Sequence, residues 1–110
     1  MNYNIEVTAL FEKQLKRLIK KFPSLKKEYV QLIIGLQENP QQGTSLGNNC
    51  YKIRLAIASK GKGKSGGARV ITHIQIVQTR IFLLSVYDKS EQSDISDKDL
   101  QEWVKMLGKS

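Results

Sequence analysis

The sequence is short of the residues that build many familiar sites, since its 110 residues include one cysteine, one histidine and two prolines. A single cysteine excludes an internal disulfide, and one cysteine with one histidine cannot form a zinc site of the usual Cys/His type. No apolar run approaches the roughly 18 residues of a membrane span, and the N-terminus lacks signal-peptide order. These absences predict a cytoplasmic protein with no metal, no cofactor and no membrane partner.

What remains is an ordinary globular composition with an unusual charge. Hydrophobic residues make up 40% of the chain and charged residues 25%, with a net charge of +8. At this length we expect residues 1–110 to form a single domain. The stretch 51–89 carries eight basic side chains and one acidic side chain, whereas 90–110 carries three and five. Positive charge concentrated in this way favours a polyanionic partner such as nucleic acid.

The hydrophobic spacing predicts seven elements in the order β-α-α-β-β-β-α. Alternation at Tyr3 to Val7 indicates a first strand, and two amphipathic segments ended by Pro23 and Pro40 indicate a helical hairpin. Three further strands follow from Tyr51, and Ser96 precedes a short closing helix. This order predicts an α+β fold with a mostly antiparallel four-stranded sheet, the N-terminal helical hairpin and a short C-terminal helix.

Four cations and a tyrosine fall on the last three predicted strands. Lys52 and Arg54 share one face of the first of these strands, and Arg69 begins the next. If these two strands pair, the three cations converge on one spot, and neither strand carries an acid that would neutralise them. Lys89 ends the following strand, two residues after Tyr87. The alternative is a solvated sheet face of the ordinary kind.

The glycine-rich stretch between the first two of these strands carries Lys60, Lys62 and Lys64. It resembles a loosened phosphate loop, but it leads into a strand instead of a helix, so nucleotide binding is not expected. We interpret the lysines as an electrostatic clamp on a polynucleotide backbone, and the alternative is a hairpin tip kept soluble by its charge. His73 lies mid-strand and is not assigned as a general base, and Cys50 is interpreted as a small buried hydrophobe.

Three stretches resemble the RelE/HigB-like toxins of bacterial type II toxin-antitoxin systems, in the RelE/ParE superfamily. They are Tyr51 to Leu55 (YKIRL), Ser59 to Ile71 (SKGKGKSGGARVI), and Leu83 to Lys89 (LLSVYDK) followed by Asp94-Ile-Ser. The order of elements matches as well. The resemblance implies a RelE-like microbial RNase fold, a cognate antitoxin partner, and metal-independent cleavage of mRNA on the ribosome.

The same resemblance implies roles for individual residues. In-line attack by a ribose 2′-hydroxyl on the adjacent phosphate needs a base, stabilisation of the phosphorane charge, and an acid for the leaving oxygen. Lys52 is the candidate base, Arg54 and Arg69 would hold the phosphate, and Lys89 matches a cation near the leaving group. The RNA-contacting residues would be Lys60, Lys62, Lys64 and Tyr87. Some members place a tyrosine six residues beyond the Lys89 position, where this sequence has Ile95, so Tyr87 is the candidate substitute.

Two alternatives from other functional classes stay open. One is a non-cleaving relative on the same fold, like the ParE-type inhibitors of DNA gyrase. The other is a basic RNA-binding module without catalysis. The combination of Lys52, Arg54 and Arg69 favours RNA cleavage, because a protein-binding inhibitor has no need of all three together.

Overall fold

The computed structural model describes residues 3–58 and 66–107, which form three helices and five strands. In chain order the elements are β1 (Asn4–Val7), α1 (Ala9–Lys21), α2 (Leu25–Glu38), β2 (Thr44–Gly47), β3 (Cys50–Leu55), β4 (Ala68–Gln75), β5 (Arg80–Asp88) and α3 (Asp97–Leu107).

All five strands belong to one sheet with the order β1-β5-β4-β3-β2. The strands pair antiparallel except for β1, which runs parallel to β5. The predicted α+β class, helical hairpin and closing helix are therefore confirmed. The predicted strand count was wrong, because the sheet has five strands instead of four.

The strand that the sequence did not predict is β2. It is four residues long and only Leu46 within it is a large apolar residue, so no alternation marks it. A tight turn joins it to β3 through Asn48 and Asn49, whose φ angles of 51° and 60° lie in the left-handed region that asparagine tolerates. This Asn-Asn pair was the one available signal for the hairpin.

One face of the sheet, here called the hairpin face, packs on α1 and α2. Thr8 starts α1 by accepting a hydrogen bond from the Phe11 amide at 3.2 Å, as expected of an N-cap. The apolar stripes of the two helices then meet the sheet in the main core. Its fully buried members include Phe11, Leu18, Leu25, Leu36, Val70, Ile81 and Leu83.

The opposite face, here called the α3 face, is covered in part by α3. The Asp99 amide donates to Ser96 Oγ at 3.0 Å, which confirms the expected cap at the start of this helix. Leu100 is buried against Ile71, Leu84 and the ring of Tyr87 in a second, smaller core. Within the described part of the chain, no helix has the length and apolar character that a membrane crossing requires.

Candidate functional site

The central feature of the α3 face is a row of three residues across three neighbouring strands. Arg54 on β3 pairs with Arg69 on β4, and Arg69 pairs with Tyr87 on β5. Because residues directly opposite each other in a ladder lie close together, two guanidinium groups and a phenol share one strip of the sheet. Like charges placed directly opposite each other cost stability, so this row is not what folding alone would select.

An irregularity in β5 puts Tyr87 in this row. Ile71 pairs with Ser85 and the next residue, Thr72, pairs with Leu83, so Leu84 is an extra residue in β5. Before this bulge Leu83 packs in the hairpin-face core, and after it Val86 does so. Strict alternation would have placed Tyr87 on the hairpin face. The bulge therefore turns the tyrosine towards the two arginines.

Helix α1 holds the bulge in place through Gln14. Its Oε1 accepts hydrogen bonds from the Val86 amide at 2.9 Å and from the Ser85 hydroxyl at 3.1 Å. A bulge leaves backbone groups without ladder partners, and here a side chain from another element satisfies them.

The two arginines differ in their surroundings. Arg69 is 4% exposed and donates from Nη1 to the Ala68 carbonyl at 3.1 Å, whereas Arg54 is exposed. Just before Arg69, the backbone of Gly67 passes so close to β3 that an added Cβ would lie 2.0 Å from the Leu55 carbonyl oxygen. The close approach at Gly67 fixes where β4 starts, and Arg69 lies buried near this start. Arg54, opposite it on β3, faces solvent.

Lys52 lies on the same face as Arg54, about 7 Å further along β3 at roughly 3.3 Å per residue. Its Nζ lies 3.4 Å from Asp94 Oδ1, which also accepts from the Tyr87 hydroxyl at 3.5 Å and from the Ile95 amide at 2.8 Å. The Ile95 amide, together with the nearby Lys52, lowers the pKa of Asp94 below its usual range. The carboxylate is therefore ionised at neutral pH.

Asp94 is the residue that the sequence reasoning missed. The expectation that no acid would neutralise the cations holds for β3 and β4 themselves, but this carboxylate reaches the site from the segment between β5 and α3. The sequence did offer one signal for this residue. Asp94 lies seven residues beyond Tyr87, in the acidic stretch 90–110 that follows the basic stretch 51–89.

The other predicted site residues are less defined by contacts. Lys89 is exposed and directly follows β5, and its amide donates to the Gly67 carbonyl at 3.1 Å, which places its backbone beside the start of β4. Lys60, Lys62 and Lys64 lie outside the described residues, within 59–65. The roles predicted for these four lysines and for Lys52 stay predictions.

Cys50 and His73 form a separate buried pair on the α3 face. The Cys50 Sγ and His73 Nδ1 atoms are 3.4 Å apart across β3 and β4. Burial raises the pKa of the thiol to about 11 and lowers the pKa of the imidazole. A thiol that is protonated at neutral pH is a poor nucleophile, and His73 lies about 13 Å along β4 from Arg69 at roughly 3.3 Å per residue. Both observations favour a structural role for the pair.

Across residues 3–58 and 66–107, no three His, Cys, Asp or Glu side chains lie close enough to hold a metal ion together. The catalytic roles that the resemblance implies fall on lysine and arginine side chains.

Comparison with known families gives the site its context. The model of the RelE toxin of the RelE/RelB toxin-antitoxin system matches residues 8–110. The chain belongs to the RelE toxin family. The resemblance inferred from the sequence is thereby confirmed.

Solved structures of RelE proteins share the fold. A double mutant of E. coli toxin RelE in the free state has a TM-score of 0.59 and 19% identity, over 84% of this chain and 90% of that one. The toxin chain matched in the intact E. coli RelBE toxin-antitoxin complex gives 0.59 and 18%, over 78% and 95%. The Mycobacterium tuberculosis RelBE2 toxin-antitoxin complex gives 0.59 and 17%, over 80% and 99%. Identities this low establish the RelE fold and assign no residue.

Proposed function

We propose that this chain is the toxin of a type II toxin-antitoxin system and a ribosome-dependent, metal-independent mRNA endonuclease. The single observation that carries the proposal is the row of Arg54, Arg69 and Tyr87 with Lys52 beside it. Arg54 and Arg69 lie opposite each other on adjacent strands, so two guanidinium side chains are available to the non-bridging oxygens of one phosphate. Membership of the RelE toxin family supports the same reaction.

The proposed reaction is an in-line transesterification. Lys52 takes the proton of the ribose 2′-hydroxyl, and the oxygen attacks the adjacent phosphorus. Arg54 and Arg69 stabilise the negative charge that develops on the phosphorane. The bond to the 5′-oxygen then breaks, and Lys89 supplies that oxygen with a proton. The products are a 2′,3′-cyclic phosphate and a 5′-hydroxyl.

Tyr87 contributes its hydroxyl to this site. Its ring is 4% exposed and packs in the core under α3, so the ring face is not available for a base to stack on. The hydroxyl reaches the site beside Asp94. Base stacking therefore plays a smaller part here than in relatives with a tyrosine at the position of Ile95.

The proposal extends to partners and organisation. The E. coli RelBE and M. tuberculosis RelBE2 structures are toxin-antitoxin complexes, which supports a cognate antitoxin for this chain. The net charge of +8 suits an acidic antitoxin. The match over residues 8–110 supports one toxin domain spanning residues 1–110. Because the proposed substrate is mRNA on translating ribosomes, we expect the activity in the cytoplasm.

The test is to express the wild type and single variants briefly in bacteria and to map new 5′ ends on cellular mRNA. Removing a donor that stabilises developing charge costs about 10²–10³ in rate, so Arg54→Ala and Arg69→Lys should lose nearly all new ends. Arg80→Ala is the matched control, because Arg80 lies at the far end of β5, where its Nε pairs with Glu6 at 3.5 Å. It should cut like the wild type.

Two outcomes would contradict the proposal. Growth arrest by the wild type with intact transcripts would point to a non-nuclease toxin. Undiminished cutting by Arg54→Ala and Arg69→Lys would remove the row from the reaction. Arg54 is exposed, so its variant keeps the comparison valid if the change at the buried Arg69 impairs folding.

A further inference from the structure

The carboxylate of Asp94 sits where an anion from RNA would be expected to bind. One oxygen, Oδ1, receives Lys52 Nζ at 3.4 Å, the Tyr87 hydroxyl at 3.5 Å and the Ile95 amide at 2.8 Å. Several donors around one oxygen are also what a phosphate oxygen requires. The side chain of Asp94 is 60% exposed and that of Lys52 is 27% exposed, so this position is open to a ligand.

We propose that Asp94 is a built-in competitor of RNA, an internal anion that occupies Lys52 and Tyr87 until bound RNA displaces it and frees Lys52 for the 2′-hydroxyl. The inference rests on the proposed function, because it assigns a regulatory contact to the same site. The Asp94 carboxylate is held near these two groups by a hydrogen bond from the amide of the next residue, Ile95.

The geometry makes this displacement easy. The contacts of Asp94 to Lys52 and Tyr87 are long, and the short hydrogen bond to Ile95 does not involve either group. The Asp94 side chain is 60% exposed, so solvent screens this ion pair and the pair contributes little to stability. RNA can therefore displace Asp94 from Lys52 and Tyr87 without unfolding the segment between β5 and α3.

Competition of this kind lowers the affinity of the wild type for RNA at a given salt concentration. The counterions released on binding leave the RNA phosphates that the protein neutralises, so displacing Asp94 does not change their number. Salt does screen the Lys52–Asp94 ion pair itself. Removing the charge of Asp94 should therefore strengthen binding at low salt, and the gain should shrink at high salt.

The test measures binding of a 2′-O-methyl RNA oligonucleotide, which has no free 2′-hydroxyl, by fluorescence anisotropy over a range of salt concentrations. Asp94→Asn keeps an oxygen for the Ile95 amide but removes the charge. The matched control is Glu102→Gln, which makes the same change of charge at an exposed position of α3 that forms no ion pair with any described residue.

We expect Asp94→Asn to bind about two- to fivefold more tightly than Glu102→Gln at low salt, as the loss of one partly exposed ion pair implies. The difference between the two variants should shrink at high salt, which screens that pair. In a Lys52→Met background, Asp94→Asn should lose most of this effect, because the lysine that Asp94 competes for is gone.

The outcomes separate this inference from the proposed function. If the oligonucleotide binds the wild type but binds Asp94→Asn no more tightly than Glu102→Gln at low salt, the role of Asp94 alone is overturned. An oligonucleotide that binds the wild type no better than Arg54→Ala would contradict the proposed RNA site, and the inference would fall with it.

Discussion

At the residue scale, the buried pair of Cys50 and His73 makes the free energy of unfolding depend on pH. This dependence is separate from the candidate functional site. Desolvation lowers the pKa of His73 in the folded chain. The unfolded chain, with a histidine pKa of about 6.5, therefore binds the proton more readily. Neutral His73 contributes stability above that pH, and the contribution is lost as the pH falls from there towards the folded pKa.

Urea unfolding at pH 7.5 and pH 5.5 checks this expectation. His73 is the only histidine in the chain, and the carboxyl groups with lowered pKa, Glu91 and Asp94, act below about pH 5. The wild type should lose more stability between the two pH values than His73→Gln does. An equal loss in both proteins would show that His73 titrates alike in the folded and unfolded chains.

Much of the candidate site could be predicted at this scale, and the limit is visible in particular residues. Lys52, Arg54 and Arg69 follow from strand alternation and the lack of acids on their strands. Asp94 does not, because its contact with Lys52 spans 42 residues of sequence and depends on the path of the chain after β5. The burial of the Tyr87 ring depends likewise on where α3 packs.

At the element scale, the bulge in β5 decides which residues face the site. Replacing Gln14 by Leu leaves the buried Val86 amide without its partner. An unsatisfied buried amide costs about 1–3 kcal/mol, and relaxation of the bulge would turn Tyr87 out of the row. We expect Gln14→Leu to lose that much stability and to cut mRNA more slowly than the wild type.

Chemical denaturation and a ribosome-bound cleavage assay measure the two effects. Ser85→Ala is the control, since it removes one hydrogen bond to Gln14 but keeps the bond from the Val86 amide. It should lose less than about 1.5 kcal/mol and keep its activity. If Gln14→Leu is as stable and as active as Ser85→Ala, the bulge does not depend on Gln14.

Sequence periodicity predicts elements and fails at such irregularities. Helices α1 and α2 and strand β3 show a period in their apolar residues, and β4 and β5 are marked by runs of β-branched and apolar residues. Strand β2 has neither signal, and the bulge at Leu84 cannot be seen in a run of apolar residues in which both faces are buried. The α+β class was still predicted correctly without β2 and the bulge, because it depends on the order of the longer elements.

At the scale of the whole molecule, the acidic residues after β5 fold back onto basic surfaces. Glu91 pairs with Arg17 at 2.8 Å and with Lys21 at 3.5 Å on α1, and Asp94 pairs with Lys52 on β3. The segment between β5 and α3 thus bridges the helical hairpin and the sheet. The charge that the sequence places in residues 51–89 is therefore partly balanced in the fold, and among the described residues of that stretch Arg54 and Lys89 are exposed.

In the proposed reaction, this basic face directs a ribose 2′-hydroxyl against the adjacent phosphate. The most direct measurement is cleavage of ribosome-bound mRNA by the purified toxin with one nucleotide, the residue 5′ of the cut, replaced by its 2′-deoxy form. The ribosomes keep their magnesium, so the substitution alone is varied. The proposed transesterification predicts a 2′,3′-cyclic phosphate end from the natural mRNA and no cut at the substituted position. Cleavage of the deoxy substrate at the same site would contradict it.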